Sequence, residues 1–322
     1  FYAQLAIDPL VQDPAIERAI DTFGYRAPRI LFSWTAFLLG LGQPALILQA
    51  YSVQNIVCWL ALAWLLLRWF PALTLRNFVL WFGCLFGQGL IASVRLSLLA
   101  GPSLLLLVLA IIAIERGRPW IASAVLGLSG LGRETNLLAG ACLFGRKFRP
   151  LRVMDHAAPL GRIFFVAVPL ALWLVYLYFS EHGVTMSSGR ENLAAPLSAL
   201  FEKWKETLAE VREFGWTETY ARFSLLSLVS LTTQAIFLMW QREWTAPWWR
   251  IGIAYTVLMV FLGPAVWAGD QVAANRVLLP MTVAFNVQLA HTRGSWPLVI
   301  FGNLTVLHGL ESLRVPWLWP YL

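Results

Sequence analysis

Long stretches of this chain carry almost no charge. Ala45–Leu67, Asn77–Ser93, Leu98–Ile114, Ile163–Ser180, Phe223–Trp240, Ile251–Trp267, Val277–His291 and Pro297–Leu310 are each predominantly apolar. A soluble fold that buried all of them would need a polar exterior, and the residues for it are missing. Of 322 residues 59% are hydrophobic and 13% charged, against about 45–50% apolar and 25% charged in ordinary soluble domains. A soluble enzyme, a nucleic-acid-binding domain and a secreted disulfide scaffold are excluded. In lipid each backbone polar group must be satisfied within its own segment, so such runs fold as helices, and about 20 residues make a full span. The expected fold is all-α, a polytopic transmembrane helical bundle forming one transmembrane domain over residues 1–322.

Some stretches are too short or too interrupted to span. Between Pro119 and Gly145 the apolar pattern is broken by Gly132-Arg133-Glu134. One tilted helix would place that charged pair at its midpoint, at high cost in lipid. Two short helices, Pro119–Leu131 and Thr135–Phe144, avoid it. Ile30–Gly42 reads as a juxtamembrane or re-entrant helix. Two regions are polar, Phe1–Arg29 and Glu181–Arg222. In the second, Leu197, Leu200, Phe201, Trp204, Leu208 and Val211 recur at helical spacing, while Glu202, Lys203, Glu206, Glu210 and Glu213 face away. That pattern predicts an amphipathic helix lying along the membrane surface.

Cysteines and histidines suggest no metal centre. Cys58, Cys84 and Cys142 lie inside apolar runs and read as packing residues, and the four histidines are scattered singly. The net charge of +7 reflects Lys and Arg in loops rather than a nucleic-acid partner. Alternating sides along the runs puts Arg68–Arg76, Glu115–Arg118, Arg146–Arg162, Gln241–Arg250 and Thr292–Trp296 together. Basic density in these short loops marks that side as cytoplasmic. Nearly all the carboxylates fall on the opposite, outer side, where chemistry is expected.

Arg95, Arg133, Glu134, Asp270 and Arg276 each sit at the outer end of an apolar run. Guanidinium groups stay charged when desolvated and bind phosphate bidentately. Converging on one pocket, Arg95, Arg133 and Arg276 would hold a lipid-linked phosphate, its tail running between helices. The first outer region carries Asp8, Asp13, Glu17 and Asp21, then Arg26 and Arg29. A carboxylate there could serve as general base toward an acceptor hydroxyl, and a second could position the acceptor or a divalent metal. No cofactor is named by the sequence. Asp8-Pro9 and Asp13-Pro14 also suit turns and helix starts.

These residues follow a recognisable order. Tyr25-Arg26-Ala27-Pro28-Arg29-Ile30-Leu31-Phe32 comes after the loop Phe1-Tyr2-Ala3-Gln4-Leu5-Ala6. Arg95 then stands four residues before Leu99-Ala100-Gly101-Pro102. Gly132-Arg133-Glu134-Thr135 and Asn275-Arg276-Val277-Leu278-Leu279-Pro280 complete the series. The order resembles bacterial integral-membrane glycosyltransferases of the GT-C superfamily, the class of protein mannosyltransferases and lipid A aminoarabinose transferases. The chain departs from that pattern at Ala100, where the family often has Asp, and at Ser33, where it often has Pro.

The resemblance implies inverting transfer of a sugar from a polyprenyl phosphate to an acceptor, at the outer face of a bacterial inner membrane among its lipids. It implies Asp8 and Glu134 as catalytic carboxylates, and Arg276, Arg95 and Arg133 on the donor phosphate. Arg26, Arg29 and Asp270 are then substrate-binding residues. It also implies a first transmembrane helix upstream of Phe1, with a further acidic residue beside it. A transporter or flippase of a lipid-linked saccharide would also use arginines near a phosphate and helices broken at depth.

Overall fold

The computed structural model of the chain describes residues 2–20, 22–71, 74–144, 153–180, 192–268, 272–292 and 295–313. Every regular element among them is helical, apart from an isolated bridge between Leu193 and Leu262. In chain order the helices are α1 (Tyr2–Leu5), α2 (Pro14–Ala19), α3 (Phe23–Arg26), α4 (Leu31–Leu39), α5 (Pro44–Leu66), α6 (Leu75–Phe86), α7 (Gln88–Arg95), α8 (Ala100–Glu115) and α9 (Pro119–Gly132). There follow a 3₁₀ helix (Glu134–Leu143), α10 (Val153–Phe179), α11 (Ser198–Phe214), α12 (Thr219–Gln241), α13 (Pro247–Phe261), α14 (Pro264–Trp267), α15 (Val272–Val277), α16 (Leu279–Ala290), α17 (Trp296–Phe301) and α18 (Thr305–Ser312). Among the described residues three helices are long and apolar enough to cross a membrane: α5, Leu160–Phe179 of α10, and α12. A fourth is added if α6 and α7 count as one bent span. The chain divides into two compact units, Phe1–Ala61 with Ser97–Gly189 and Trp244–Arg250, and Leu62–Leu96 with Arg190–Glu243 and Ile251–Leu322.

In the first unit α9 packs against α8, α10 and the 3₁₀ helix. Pro119 starts α9, where its missing N–H costs nothing. Glycine lets the neighbours close in: a Cβ at Gly127 would press on Pro169 of α10, and one at Gly132 on Phe32 of α4. The short helices of the first polar region are pinned to α10 by its aromatic residues. Trp173 Nε1 donates to the carbonyl of Ala27 (2.9 Å), and the Tyr176 hydroxyl donates to that of Leu10 (2.8 Å). Trp34 meets Trp173 edge-on at 5.1 Å and donates to the carbonyl of Pro9. Below them Tyr2, Leu5, Ile20, Phe23, Ile30 and Tyr51 share one buried core.

The second unit is built largely from broken helices. The run Asn77–Ser93 is not a single rod: it bends by 44° at Gly87, between α6 and α7. Ile251–Trp267 is interrupted before Pro264, Val277–His291 is broken at Leu278 between α15 and α16, and Pro297–Leu310 is split around Gly302–Leu304. Each break frees backbone groups that need partners away from water. At the last one, the Gly302 carbonyl accepts from Ser230 Oγ (2.8 Å) and Gln234 Nε2 (2.7 Å) of α12. Thr282 donates to Gln234 Oε1 (3.0 Å), and Asn286 and Asn303 exchange amide hydrogen bonds of 3.0 and 2.9 Å. Gly83 admits Asn303, whose side chain a Cβ there would overlap.

An amphipathic helix does form after Glu181, as α11, but its inward face differs from the one its apolar spacing suggests. Ala199, Leu200, Lys203 and Thr207 are buried, whereas Phe201 and Leu208 are exposed. Lys203 therefore faces inward, with its ammonium on Glu206 Oε2 (3.0 Å) and the Tyr220 hydroxyl (3.2 Å). The segment before α11 is tied to the end of α13 by Ala194 N–H on the Phe261 carbonyl and Leu197 N–H on that of Val260.

Candidate functional site

Arg29 and Glu134 form the most developed polar arrangement in the first unit. Arg29 stands in the short link between α3 and α4. Glu134 opens the 3₁₀ helix two residues after Gly132, the glycine that lets α9 close on Phe32 of α4. Arg29 Nε donates to Glu134 Oε2 at 2.7 Å, and Nη2 donates to Oε1. The third branch, Nη1, donates to the Tyr2 hydroxyl at 3.1 Å. The guanidinium also lies over the Tyr25 ring, 3.9 Å from its centroid, and Arg26 sits over the ring of Tyr2 at 5.3 Å. Arg29 is buried, while the Glu134 side chain keeps 40% of its exposure. Burial alone would raise the Glu134 carboxyl, but the charge and hydrogen bonds of Arg29, with Arg133 adding to them, hold it below its usual range. Arg29, despite its burial, is held above its own usual range by the same carboxylate.

This arrangement bears on the expected roles. Glu134 is bound to Arg29, 105 residues earlier, while Arg133 acts on it through its charge. As a base it would have to give up a bidentate bond. What remains open to a substrate is the exposed part of its carboxylate, while Tyr2 and Tyr25 hold the Arg29 side of the pair. Both tyrosines stand in the motifs that carry the resemblance, but without a role there, because only the folded loop stacks them on Arg26 and Arg29.

Asp8 holds its own loop together. Its Oδ2 accepts from the backbone N–H of Gln12 (2.5 Å) and Asp13 (2.7 Å), directly before α2, which Asp13 caps through Ala15 N–H (2.8 Å). Arg133 also belongs to the first unit, half-buried and extended at the end of α9. Arg95 and Arg276 belong to the second. Arg95 ends α7 and is exposed, and Arg276 lies half-buried in α15. These two helices pack closely, because Gly89 has no Cβ to collide with the carbonyl of Asn275. Asn275 in turn donates to Ser227 of α12 at 2.9 Å. Asp270 lies outside the described residues. Among those residues no three His, Cys, Asp or Glu side chains gather as a metal ion would require.

No protein-family model, no curated protein and no solved structure matches this chain.

Proposed function

We propose that the chain is an integral-membrane glycosyltransferase of the GT-C kind, taking its sugar from a polyprenyl phosphate at the outer face of a bacterial inner membrane. The observation that carries this reading is the close packing of α7 on α15. It mounts Arg95 and Arg276 on one pair of short, closely packed helices. Arg95 lies six residues beyond Gly89, roughly 9 Å along the helix, and on this proposal both guanidiniums reach one phosphate from these neighbouring elements. They would stabilise negative charge building on the leaving phosphate. The resemblance, not the geometry, is what assigns Arg133 to a donor phosphate and Arg26 and Asp270 to the sugar or acceptor. In the first unit the Arg29–Glu134 fork, framed by Tyr2 and Tyr25, is the natural holder of an acceptor hydroxyl. With Asp8 engaged in its loop, Glu134 is the better placed carboxylate. Polyprenyl-phosphate sugar and membrane lipids are the partners.

The deciding measurement is donor binding by Arg276→Ala in detergent. Loss of affinity for a polyprenyl-phosphate sugar, at unchanged thermal stability, supports the assignment. Unaltered affinity overturns it.

A lipid-linked-saccharide transporter is the second reading. It is favoured by the broken helices of the second unit, since transporters commonly place binding sites at discontinuous helices. Release of polyprenyl phosphate together with glycosylated acceptor, or with free sugar where water is the acceptor, by purified protein in liposomes favours transfer. Donor crossing the bilayer intact favours transport.

A further inference from the structure

Arg162 is the single charged residue in the candidate span Leu160–Phe179 of α10. It stands half-buried in the first turn of that span, among side chains that face outward: Leu160, Phe164 and Phe165 are exposed, Phe164 by 74%. Among the described residues no carboxylate pairs with it, and its Nε is shielded without a hydrogen-bond partner. A charge at the edge of a span calls for a counter-charge. What the protein supplies is an aromatic face. The guanidinium lies over Trp120, 5.8 Å from the ring centroid, and Trp120 meets Phe165 edge-on at 6.3 Å. Trp120 is exposed near the start of α9, and it reaches Arg162 because α9 and α10 pack side by side in the same direction, Trp120 at Phe165 and Gly127 at Pro169. The turn before α9 adds Arg116 and Arg118, both exposed, while Glu115, the carboxylate of that turn, is already engaged within the protein. Trp173, which pins the first polar region at Ala27, lies roughly 16 Å further along α10, so this arrangement is clear of Arg29 and Glu134.

The position selects the ligand. An arginine stacked on tryptophan at the edge of an apolar surface lies at head-group level in a bilayer, and guanidinium binds phosphate through two parallel hydrogen bonds. A soluble phosphate would gain the cation but nothing from Leu160, Phe164 and Phe165, which suit acyl chains. A zwitterionic head group would bring an ammonium toward Arg116 and Arg118. A head group of net negative charge is attracted by all three arginines. We propose that the face of α9 and α10 around Arg162 and Trp120 binds a glycerophospholipid with an anionic head group, its phosphate on Arg162 and its acyl chains along Phe164 and Phe165. The site takes the same lipid whether the chemistry elsewhere is transfer or transport.

Native mass spectrometry of the purified full chain tests this. The protein is incubated with equimolar phosphatidylglycerol, phosphatidylethanolamine and phosphatidylcholine, and the retained lipids are compared. Phosphatidylglycerol is expected to exceed each of the others by about fivefold, the worth of roughly one arginine beside an anionic lipid. Arg162→Gln should remove that preference. Trp120→Leu keeps every charge but releases the guanidinium from its ring, and should lower the preference about twofold. Arg242→Gln, at an exposed arginine just after α12, should leave it unchanged. Excess inorganic phosphate should not displace phosphatidylglycerol from wild-type protein, an arm that needs no variant to fold. Equal retention of the three lipids by wild-type protein, displacement by inorganic phosphate, a preference unchanged in folded Arg162→Gln or Trp120→Leu, or an equal loss in Arg242→Gln overturns the proposal.

Discussion

Arg29 and Glu134, 105 residues apart in sequence, meet in a two-bond fork that ties the link between α3 and α4 to the start of the 3₁₀ helix. Because Arg29 is buried and Glu134 half-exposed, removing either charge should cost less than the 3–5 kcal/mol of a fully buried pair. A loss of about 1–3 kcal/mol is expected. Arg29→Lys should recover little, since an ammonium cannot reproduce the fork or the stack on Tyr25. Arg29→Met with Glu134→Leu should be more stable than either single charge removal, because it leaves no ion uncompensated. Thermal unfolding in detergent measures all four variants.

The same pair gives a pH dependence of known sign. The Glu134 carboxyl titrates lower in the folded protein than its ordinary value of 4.5, so the unfolded chain takes up its proton first as pH falls. Stability from the pair is therefore complete above about pH 4.5 and is lost only as pH drops through the lowered value. The difference in melting temperature between wild-type protein and Glu134→Gln should be flat from pH 8 to pH 5 and shrink in more acidic buffer. A difference that already shrinks near neutrality would contradict the ion pair.

Gly89 and Gly161 make a matched pair for testing close approach. A Cβ at Gly89 collides with the backbone of Asn275, which cannot move aside as a flexible side chain can. A Cβ at Gly161, on α10, meets nothing within 4 Å. Gly89→Ala should push α7 off α15, lowering stability by about 1–3 kcal/mol and donor affinity with it, since Arg95 and Arg276 ride on those helices. Gly161→Ala should be neutral or stabilising by roughly 0.5–1 kcal/mol, through helix propensity. Melting and donor binding on both variants separate a packing effect from a general intolerance of substitution.

How far the fold could be read beforehand depends on the range of the forces that set it. Helix positions follow from local apolar runs, so Ala45–Leu67 anticipated α5 within a residue at each end. The polar turn at Arg133-Glu134 does separate α9 from the 3₁₀ helix. Breaks were less visible, because Gly302 can leave its helix only where Ser230 and Gln234, about seventy residues earlier, accept the freed carbonyl's demand for donors. On α11 the apolar period misled about Lys203. In a membrane-associated chain exposed Phe201 and Leu208 can face lipid, and the inward face is free to carry a paired ammonium. At the candidate site, Arg29 and Glu134 were each singled out by their chemistry, but no local pattern could pair them. Tyr2 and Tyr25 lie in the motifs of the resemblance, but nothing there marks their part in the site, since ring stacking on a guanidinium has no characteristic spacing.

Asn286 and Asn303 offer the sharpest test of the second unit. Their side-chain amides exchange two hydrogen bonds, and each also donates to a carbonyl one turn earlier, Asn286 to Thr282 and Asn303 to Val299, so both are fully buried yet satisfied. Replacing one by leucine leaves the other's amide without its partner, at about 1–3 kcal/mol. Replacing both removes the need for a partner, so the double variant should lose clearly less than the sum of the two singles. A coupling of about 1 kcal/mol or more is expected for residues in such contact. The cycle is read from thermal unfolding in detergent, with Gly161→Ala as an unrelated reference. Strict additivity would mean that the break between α17 and α18 is held by Ser230 and Gln234 alone, and the Asn pair would then contribute only its volume.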